Sequence, residues 1–306
     1  MKKVIILGGN GFIGKRLASY LLKQDVSVYS FDLTIPSDKE NGINYIEGNF
    51  FDDDTLMNAV EDKDIVFHCV CTINPGNSWE KYMQAYNLDF IQTVKLCKIV
   101  SETNKKMVFL SSGGTVYGKK DIQPIEENST TYPINHYGAL KICIENVIHS
   151  FNERINDKII IARISNPYGP GQDYTKGVGF IDAAIKNAIS GKDIVVFGDG
   201  SVIRDYIYID DVVKLLYFLS SYNGEYDTFN VSTGIGTSQI EILQMLQTHF
   251  PDMKIKYEKE RDVDLKKTIL SNKRLMDCYD YKMIDIKDGI FKYVEYLKEK
   301  KDEYAT

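Results

Sequence analysis

Val4-Ile-Ile-Leu-Gly-Gly-Asn-Gly-Phe-Ile-Gly14 is the stretch that decides the fold. A short apolar run suited to a strand buried on both faces passes directly into the spaced glycines Gly8, Gly11 and Gly14, and residues 12–23 follow with helical spacing. Between a strand and a helix such glycines permit a tight turn, close approach of a pyrophosphate and tight helix–strand packing. The helix N-terminus adds free amides and partial positive charge. Gly8, Gly11, Phe12, Ile13 and Gly14 are therefore candidate dinucleotide contacts. A second apolar run ends as Val28-Tyr-Ser-Phe-Asp32. An acid at that place accepts hydrogen bonds from an adenosine ribose and repels a 2′-phosphate, and no arginine follows nearby, which favours NAD over NADP. The competing reading of Asp32 is a loop or helix-capping acid.

The pattern repeats outward from this first unit. Apolar runs at residues 4–7, 26–31, 65–70, 107–110 and 159–164 alternate with helical spacing at 12–23, 54–60, 82–102 and 137–151. Such alternation predicts an α/β fold, a Rossmann-like doubly wound parallel sheet with ligands at the carboxyl ends of its strands. The turn-rich Asn166-Pro-Tyr-Gly-Pro-Gly171 marks entry into a smaller α/β C-terminal substrate domain. The expected division is 1–165 plus about 203–230 for the dinucleotide domain, and about 166–202 plus 231–306 for the substrate domain. Residues 292–303 read as a charged amphipathic helix on the solvated surface.

A chain of 306 residues is about two domains at roughly 150 residues each. A formal charge of −6 argues against nucleic acid or an anionic membrane as partner, so an anionic ligand must be held by local cations. Residues 4–7 are too short for a signal-peptide core, and no run approaches the ~18 apolar residues of a membrane span, so a cytoplasmic protein is expected. Five scattered cysteines, two of them in Cys69-Val-Cys71 at an apparent buried strand, and four histidines without ligand spacing predict reduced structural thiols and no metal.

The chemistry-bearing stretch is Ser111-Ser-Gly-Gly-Thr-Val-Tyr-Gly118, followed by Tyr137-Gly-Ala-Leu-Lys141. Tyr137 and Lys141 stand at i and i+4 and share one helix face. A lysine charge beside a phenol lowers its pKa from ~10, so Tyr137 can serve as general base.

With these residues the chain resembles the extended short-chain dehydrogenase/reductase family, in particular its NAD-dependent nucleotide-sugar epimerases and dehydratases. The likeness runs from the glycine turn through Val116-Tyr-Gly118, Tyr137/Lys141, Arg163-Ile-Ser-Asn-Pro167, Gly198-Asp-Gly-Ser201 and Arg204-Asp-Tyr206 to Arg261-Asp-Val-Asp264. It implies bound NAD, a nucleotide-sugar substrate and a homodimer paired through helices near 82–102 and 137–151. Carried over by position, Asn49, Phe50, Cys69, Val70, Asn87 and Ser111 join the cofactor contacts. Asn166, Arg204, Arg261 and Asp264 line the nucleoside diphosphate, which two arginines can clamp with charge-assisted bonds. Arg204 also reads as an ion-pair partner of Asp205 or Asp210. The chain departs from the family where His68-Cys-Val-Cys71 replaces a His-x-Ala-Ala turn, where Asn49 replaces an acid, and where Asn87-Leu-Asp-Phe-Ile91 replaces Asn-Val-x-Gly-Thr.

The usual catalytic Ser or Thr falls on Gly113, and the Asp-Glu pair that dehydration requires falls on Gly114 and Thr115. Without those carboxylates water elimination has neither acid nor base. The missing hydroxyl can come from Thr115, the first candidate, from Ser112, or from a water admitted by Gly113. If the strand continued with period two, Ser111 and Gly113 would share a face and Ser112 would point away. A nucleotide-sugar 4-epimerase is the leading expectation, followed by a 4-keto-6-deoxy-sugar reductase and, in another class, a non-catalytic sensor. Thr268, the seventh residue after Arg261, matches a position at the C2 side of the sugar, and its small size suits UDP-N-acetylglucosamine and UDP-N-acetylgalactosamine. Alternatively it is a plain β-branched strand residue.

Overall fold

The computed structural model describes residues 1–155, 159–173, 179–260 and 265–300. Its first half alternates as the apolar runs predict: β1 (Lys2–Leu7), α1 (Phe12–Leu21), β2 (Val26–Asp32), β3 (Ile43–Glu47), α2 (Asp53–Val60) and β4 (Ile65–His68). Next come α3 (Ser78–Ala85), a π-helical turn (Tyr86–Phe90), α4 (Ile91–Glu102), β5 (Lys106–Ser112), the single turn α5 (Gly113–Val116), α6 (His136–Asn152) and β6 (Ile160–Ile164). The second half holds β7 (Asn166–Tyr168), α7 (Phe180–Ile189), β8 (Ile194–Phe197), β9 (Ile203–Tyr208), α8 (Ile209–Ser220) and β10 (Thr228–Val231). It ends with β11 (Gly236–Ser238), α9 (Gln239–Gln247), β12 (Ile255–Glu258), β13 (Lys267–Thr268), α10 (Lys273–Cys278) and α11 (Ile286–Glu299).

Seven strands form one parallel sheet in the order β10-β6-β5-β4-β1-β2-β3. The winding direction reverses between β1 and β4, which opens a crevice at their carboxyl ends. Val4, Ile5, Ile6 and Leu7 are all fully buried because helices cover both faces. On one face Leu17 and Leu21 of α1 and Leu216 of α8 pack on Val4, Ile6 and Val108. On the other, Leu56 of α2, Leu96 of α4 and Ile144 of α6 pack on Ile5, Val66 and Phe109. A second core gathers Tyr168, Ile185, Tyr206, Leu243 and Tyr293 beneath a small sheet, β11-β9-β13 with β7 beside β9. Among the described residues no helix is long and apolar enough to cross a membrane.

The structure departs from the sequence reading in several places. Two further strands, β3 and β10, extend the sheet at its two edges. The strand expected over 65–70 stops at His68, so Cys69-Val-Cys71 lies in the crevice loop. The helix expected over 82–102 starts at Ser78 and is interrupted by the π turn. Residues 203–208 form β9 of the small sheet, and Ile207 of that strand already reaches the first core, which the chain then rejoins along α8. Leu275 of α10 returns to that core as well. Finally, α11 is not merely solvated: Ile290, Tyr293, Val294 and Leu297 form its buried stripe.

Candidate active site

The glycine turn is built around two amides, those of Gly8 and Gly9, which donate to Phe31 O at 2.9 and 3.1 Å. Gly8 has φ +83°, a conformation that a side chain disfavours. A Cβ at Gly14 would stand 2.3 Å from Gly8 O and 2.9 Å from Gly9 Cα, so the helix reaches the strand only because that position is glycine. The first turn of α1, with Phe12 and Ile13, has no side-chain cap, which leaves its amides for an anion. At the end of β2, Asp32 accepts from Asn10 N and Leu33 N, each at 2.8 Å, and so ties the turn to the strand tip. Val70 N lies 3.1 Å from where a Gly8 Cβ would be, and Cys69 N donates to Leu7 O at 2.9 Å, so these loop residues close on the turn. This cradle fits a dinucleotide pyrophosphate and ribose.

The other expected contacts lie around this cradle and in the loops beside it. Phe50 is buried in the core, its ring 5.0 Å from the His68 imidazole. Asn49 Oδ1 accepts Phe51 N at 3.0 Å and shapes its own turn. Asn87 sits in the π turn. The Ser111 hydroxyl donates to Glu145, which also pairs with Arg163 at 2.7 Å behind the loop.

Asn135 caps α6 by accepting Gly138 N at 2.8 Å, fixing the start of the helix that carries Tyr137 and Lys141. Lys141 is 4% exposed; its ammonium donates to Leu110 O at 2.9 Å and lies 5.6 Å from the Tyr137 ring centre. Burial outweighs the opposing Lys141 charge and leaves the Tyr137 phenol above its ordinary value, so the lowered phenol expected from the Tyr137/Lys141 spacing is not found. Burial opposes the Lys141 charge, yet Cys71, Tyr137 and Asp89 around it leave its pKa raised.

The candidates for the replaced hydroxyl are placed by the end of β5. Strand β5 ends at Ser112 and the backbone coils into α5, so the period-two argument does not extend to Gly113. Ser112 acts on the Tyr137 phenol and favours its ionised form, whereas the Thr115 hydroxyl donates to Ser112 O at 3.5 Å. Gly113 is glycine for a reason invisible in its neighbourhood of sequence. A Cβ there would stand 2.2 Å from Leu270 Cδ1, a side chain arriving from 157 residues further on.

On the opposite wall, Asn166 Nδ2 donates to Asp205 O at 2.8 Å, and Arg204 Nη1 to Ile203 O at 2.9 Å. Thr237 and Thr268 are both in register with Arg204 on adjoining strands. Thr268 is 2% exposed and its hydroxyl has no partner. The acids offered as ion partners of Arg204 are otherwise engaged. Asp210 pairs with Arg16 at 2.5 Å. Asp205 accepts from Thr233, Gly234 and Leu270, and burial pushes it up to about 6. Arg261 and Asp264 lie outside the described residues. Leu270 and Asp205 are the site-shaping residues that sequence reasoning missed; Asp205 stood inside a quoted motif, while nothing flagged Leu270.

A family model described as the NAD dependent epimerase/dehydratase family matches residues 4–232. A Methanocaldococcus jannaschii protein, provisionally named UDP-glucose 4-epimerase, is 29% identical over 304 residues, covering 96% of this chain and 98% of its own. The dTDP-4-dehydro-6-deoxyglucose reductase of Escherichia coli is 30% identical over 258 residues, 80% of each chain. Among solved structures, the UDP-N-acetylglucosamine 4-epimerase of Methanobrevibacter ruminantium M1, in complex with UDP-N-acetylmuramic acid, superposes with a TM-score of 0.87 at 26% identity. That match covers 98% of this chain and 99% of the other.

Proposed function

Because the chain belongs to the NAD-dependent epimerase/dehydratase family of enzymes, we propose that it is a cytoplasmic nucleotide-sugar 4-epimerase acting on UDP-hexoses, including UDP-N-acetylglucosamine and UDP-N-acetylgalactosamine. The observation that carries this reading is the Tyr137–Lys141 pair, its lysine held on Leu110 O at the end of β5, with no carboxylate at Gly114 or Thr115 to drive dehydration. Gly8, Gly11, Gly14 and Asp32 hold NAD, which supplies hydride exchange at the sugar C4. Tyr137 takes the proton of the 4-hydroxyl and later returns it, with Lys141 favouring the phenolate by its charge. Ser112 holds the oxygen at C4 by donating to it. Asn166 and Arg204, with Arg261 and Asp264, hold the nucleoside diphosphate and leave the sugar free to present either face. Thr268 leaves room for a 2-acetamido group. The five cysteines are free, which suits a reducing compartment.

The second reading, a 4-keto-6-deoxy-sugar reductase, is favoured by the 30% identity to the Escherichia coli reductase. One experiment separates the two. Purified protein is incubated with UDP-N-acetylglucosamine or UDP-glucose without added cofactor, and the 4-epimer is sought. Product formation without external reductant is expected; turnover that consumes stoichiometric NADH or NADPH would transfer the protein to the reductases. In the same assay Thr268→Tyr should suppress the acetamido reaction and spare UDP-glucose. If both fall together, or neither changes, Thr268 is not the gate.

A further inference from the structure

The phenol assigned as proton acceptor projects from the first turn of α6. That is the part of a helix its own hydrogen bonds restrain least, because the leading amides have no acceptor within the helix. Helix α6 begins at His136, so Tyr137 is its second residue. One side of the turn rests on the catalytic loop, where a Cβ at Gly138 would stand 2.6 Å from Thr115 O and 2.9 Å from Pro133 Cβ. The other side is His136, whose imidazole enters a cluster of three aromatic side chains. The Tyr82 ring stacks on it, with centres 4.2 Å apart and planes at 14°. Trp79 meets it edge-on at 4.6 Å and 76°. The Tyr86 hydroxyl and His136 Nδ1 are hydrogen-bonded at 3.2 Å.

The three aromatic residues arrive together from a segment some 50 residues earlier. Trp79 and Tyr82 belong to α3, and Tyr86 opens the π turn; at i, i+3 and i+7 they line one face, and α3 packs against α6. Tyr82 and Tyr86 also meet each other, ring centres 6.4 Å apart. An imidazole stacked on one side, met edge-on on another and bonded through one nitrogen can neither slide nor turn freely. His136 and Tyr137 are consecutive, so the seat of the imidazole fixes the backbone from which the phenol projects. Lys141, anchored on Leu110 O at 2.9 Å, faces the same phenol from one turn further along. Proton transfer needs that phenol within about 3 Å of the sugar hydroxyl, and a displacement of about 1 Å is enough to slow it strongly.

We propose that His136 is a positioning residue: seated among Trp79, Tyr82 and Tyr86, it fixes the first turn of α6 and with it the place of the Tyr137 hydroxyl. This inference rests on the role assigned to Tyr137, but one of its two readouts needs no turnover. In the NAD-loaded enzyme His136→Ala should lower kcat by about 10- to 100-fold with KM unchanged within about twofold, because the phenol is displaced while substrate binding is kept. His136→Phe keeps the ring packing and should recover part of that loss. Tyr86→Phe removes only the hydrogen bond and should cost about 2- to 10-fold. Added to His136→Phe, it should cost nothing further, since the same bond is already gone. The second readout is the 13Cζ resonance of Tyr137 in tyrosine-labelled protein, assigned by its loss in Tyr137→Phe. It should shift or broaden in His136→Ala and move less in His136→Phe. A wild-type kcat and an unmoved Tyr137 resonance in His136→Ala, with only the melting temperature reduced, would make His136 a packing residue and overturn the inference. If His136→Ala does not fold, the same two wild-type values in His136→Phe and Tyr86→Phe overturn it. A moved resonance in a protein that epimerises no sugar nucleotide would leave the positioning role standing and remove the proposed reaction instead.

Discussion

Leu270 fills the volume that a residue-113 side chain would need, and Ser112 is the hydroxyl residue that acts on the Tyr137 phenol. Tyr137→Phe is expected to lower kcat by several orders of magnitude with NAD still bound, since only the proton acceptor is lost. Ser112→Ala should cost about 10- to 100-fold and Thr115→Ala far less. Reversed ranks of the two in steady-state assays would return the role to Thr115. The packing account has its own check in a double-mutant cycle. Gly113→Ala alone should lose about 1–3 kcal/mol of stability by overpacking. Combined with Leu270→Ala it should lose less than the sum of the two single changes, and additive losses in denaturant titration would show that the two positions do not meet.

At the scale of the element, α6 carries Tyr137, Lys141, Glu145 and His149 at successive i+4 steps, so one stripe runs from chemistry to scaffold. Glu145 joins Arg163, whose guanidinium also donates to Tyr117 at 2.9 Å, and this braces the catalytic loop from behind. At the far end His149 Nδ1 meets Asp227 at 3.0 Å, tying the helix to the segment that leads into β10. The hydrogen bond with Asp227 raises the imidazole pKa above its ordinary 6.5, and Asp227 is held well below the usual carboxylate range despite its burial. The stabilisation is therefore full below pH 6.5 and is lost as pH rises through the raised folded-state value. His149→Gln should lower the melting temperature more at pH 5.5 than at pH 9. An equal loss at both values would mean that the pair contributes no charge.

For the whole molecule, the exposed apolar face bears on assembly. Trp79 and Met83 on α3 and Ile91 on α4 are about half exposed or more, and α4 packs beside α6. The homodimer that the family resemblance implies would cover this face, since exposed apolar patches mark interaction sites. Light scattering should give about twice the 34.9 kDa of one chain. Met83→Glu with Ile91→Lys should give a folded monomer. A wild-type monomer at micromolar concentration would remove the proposal.

Much of this was legible in the chain itself, for a local reason. The glycine turn, Asp32 and the alternating apolar runs encode the parallel sheet because a strand buried on both faces must be apolar and a pyrophosphate-binding turn must lack side chains. Tyr137 and Lys141 were readable because helical spacing alone puts them on one face. What the tertiary structure decided depends on residues that meet from distant segments. Ile43–Glu47 became an edge strand because β2 offered it a partner, not because its pattern announced one. Residues 203–208 joined the small sheet through pairing with β7, β11 and β13. The surroundings of Gly113 followed from where β5 stops and from Leu270, which arrives from a distant segment. A sequence pattern specifies which face a residue takes within its own element; which atoms then lie against that face is set only when the elements pack.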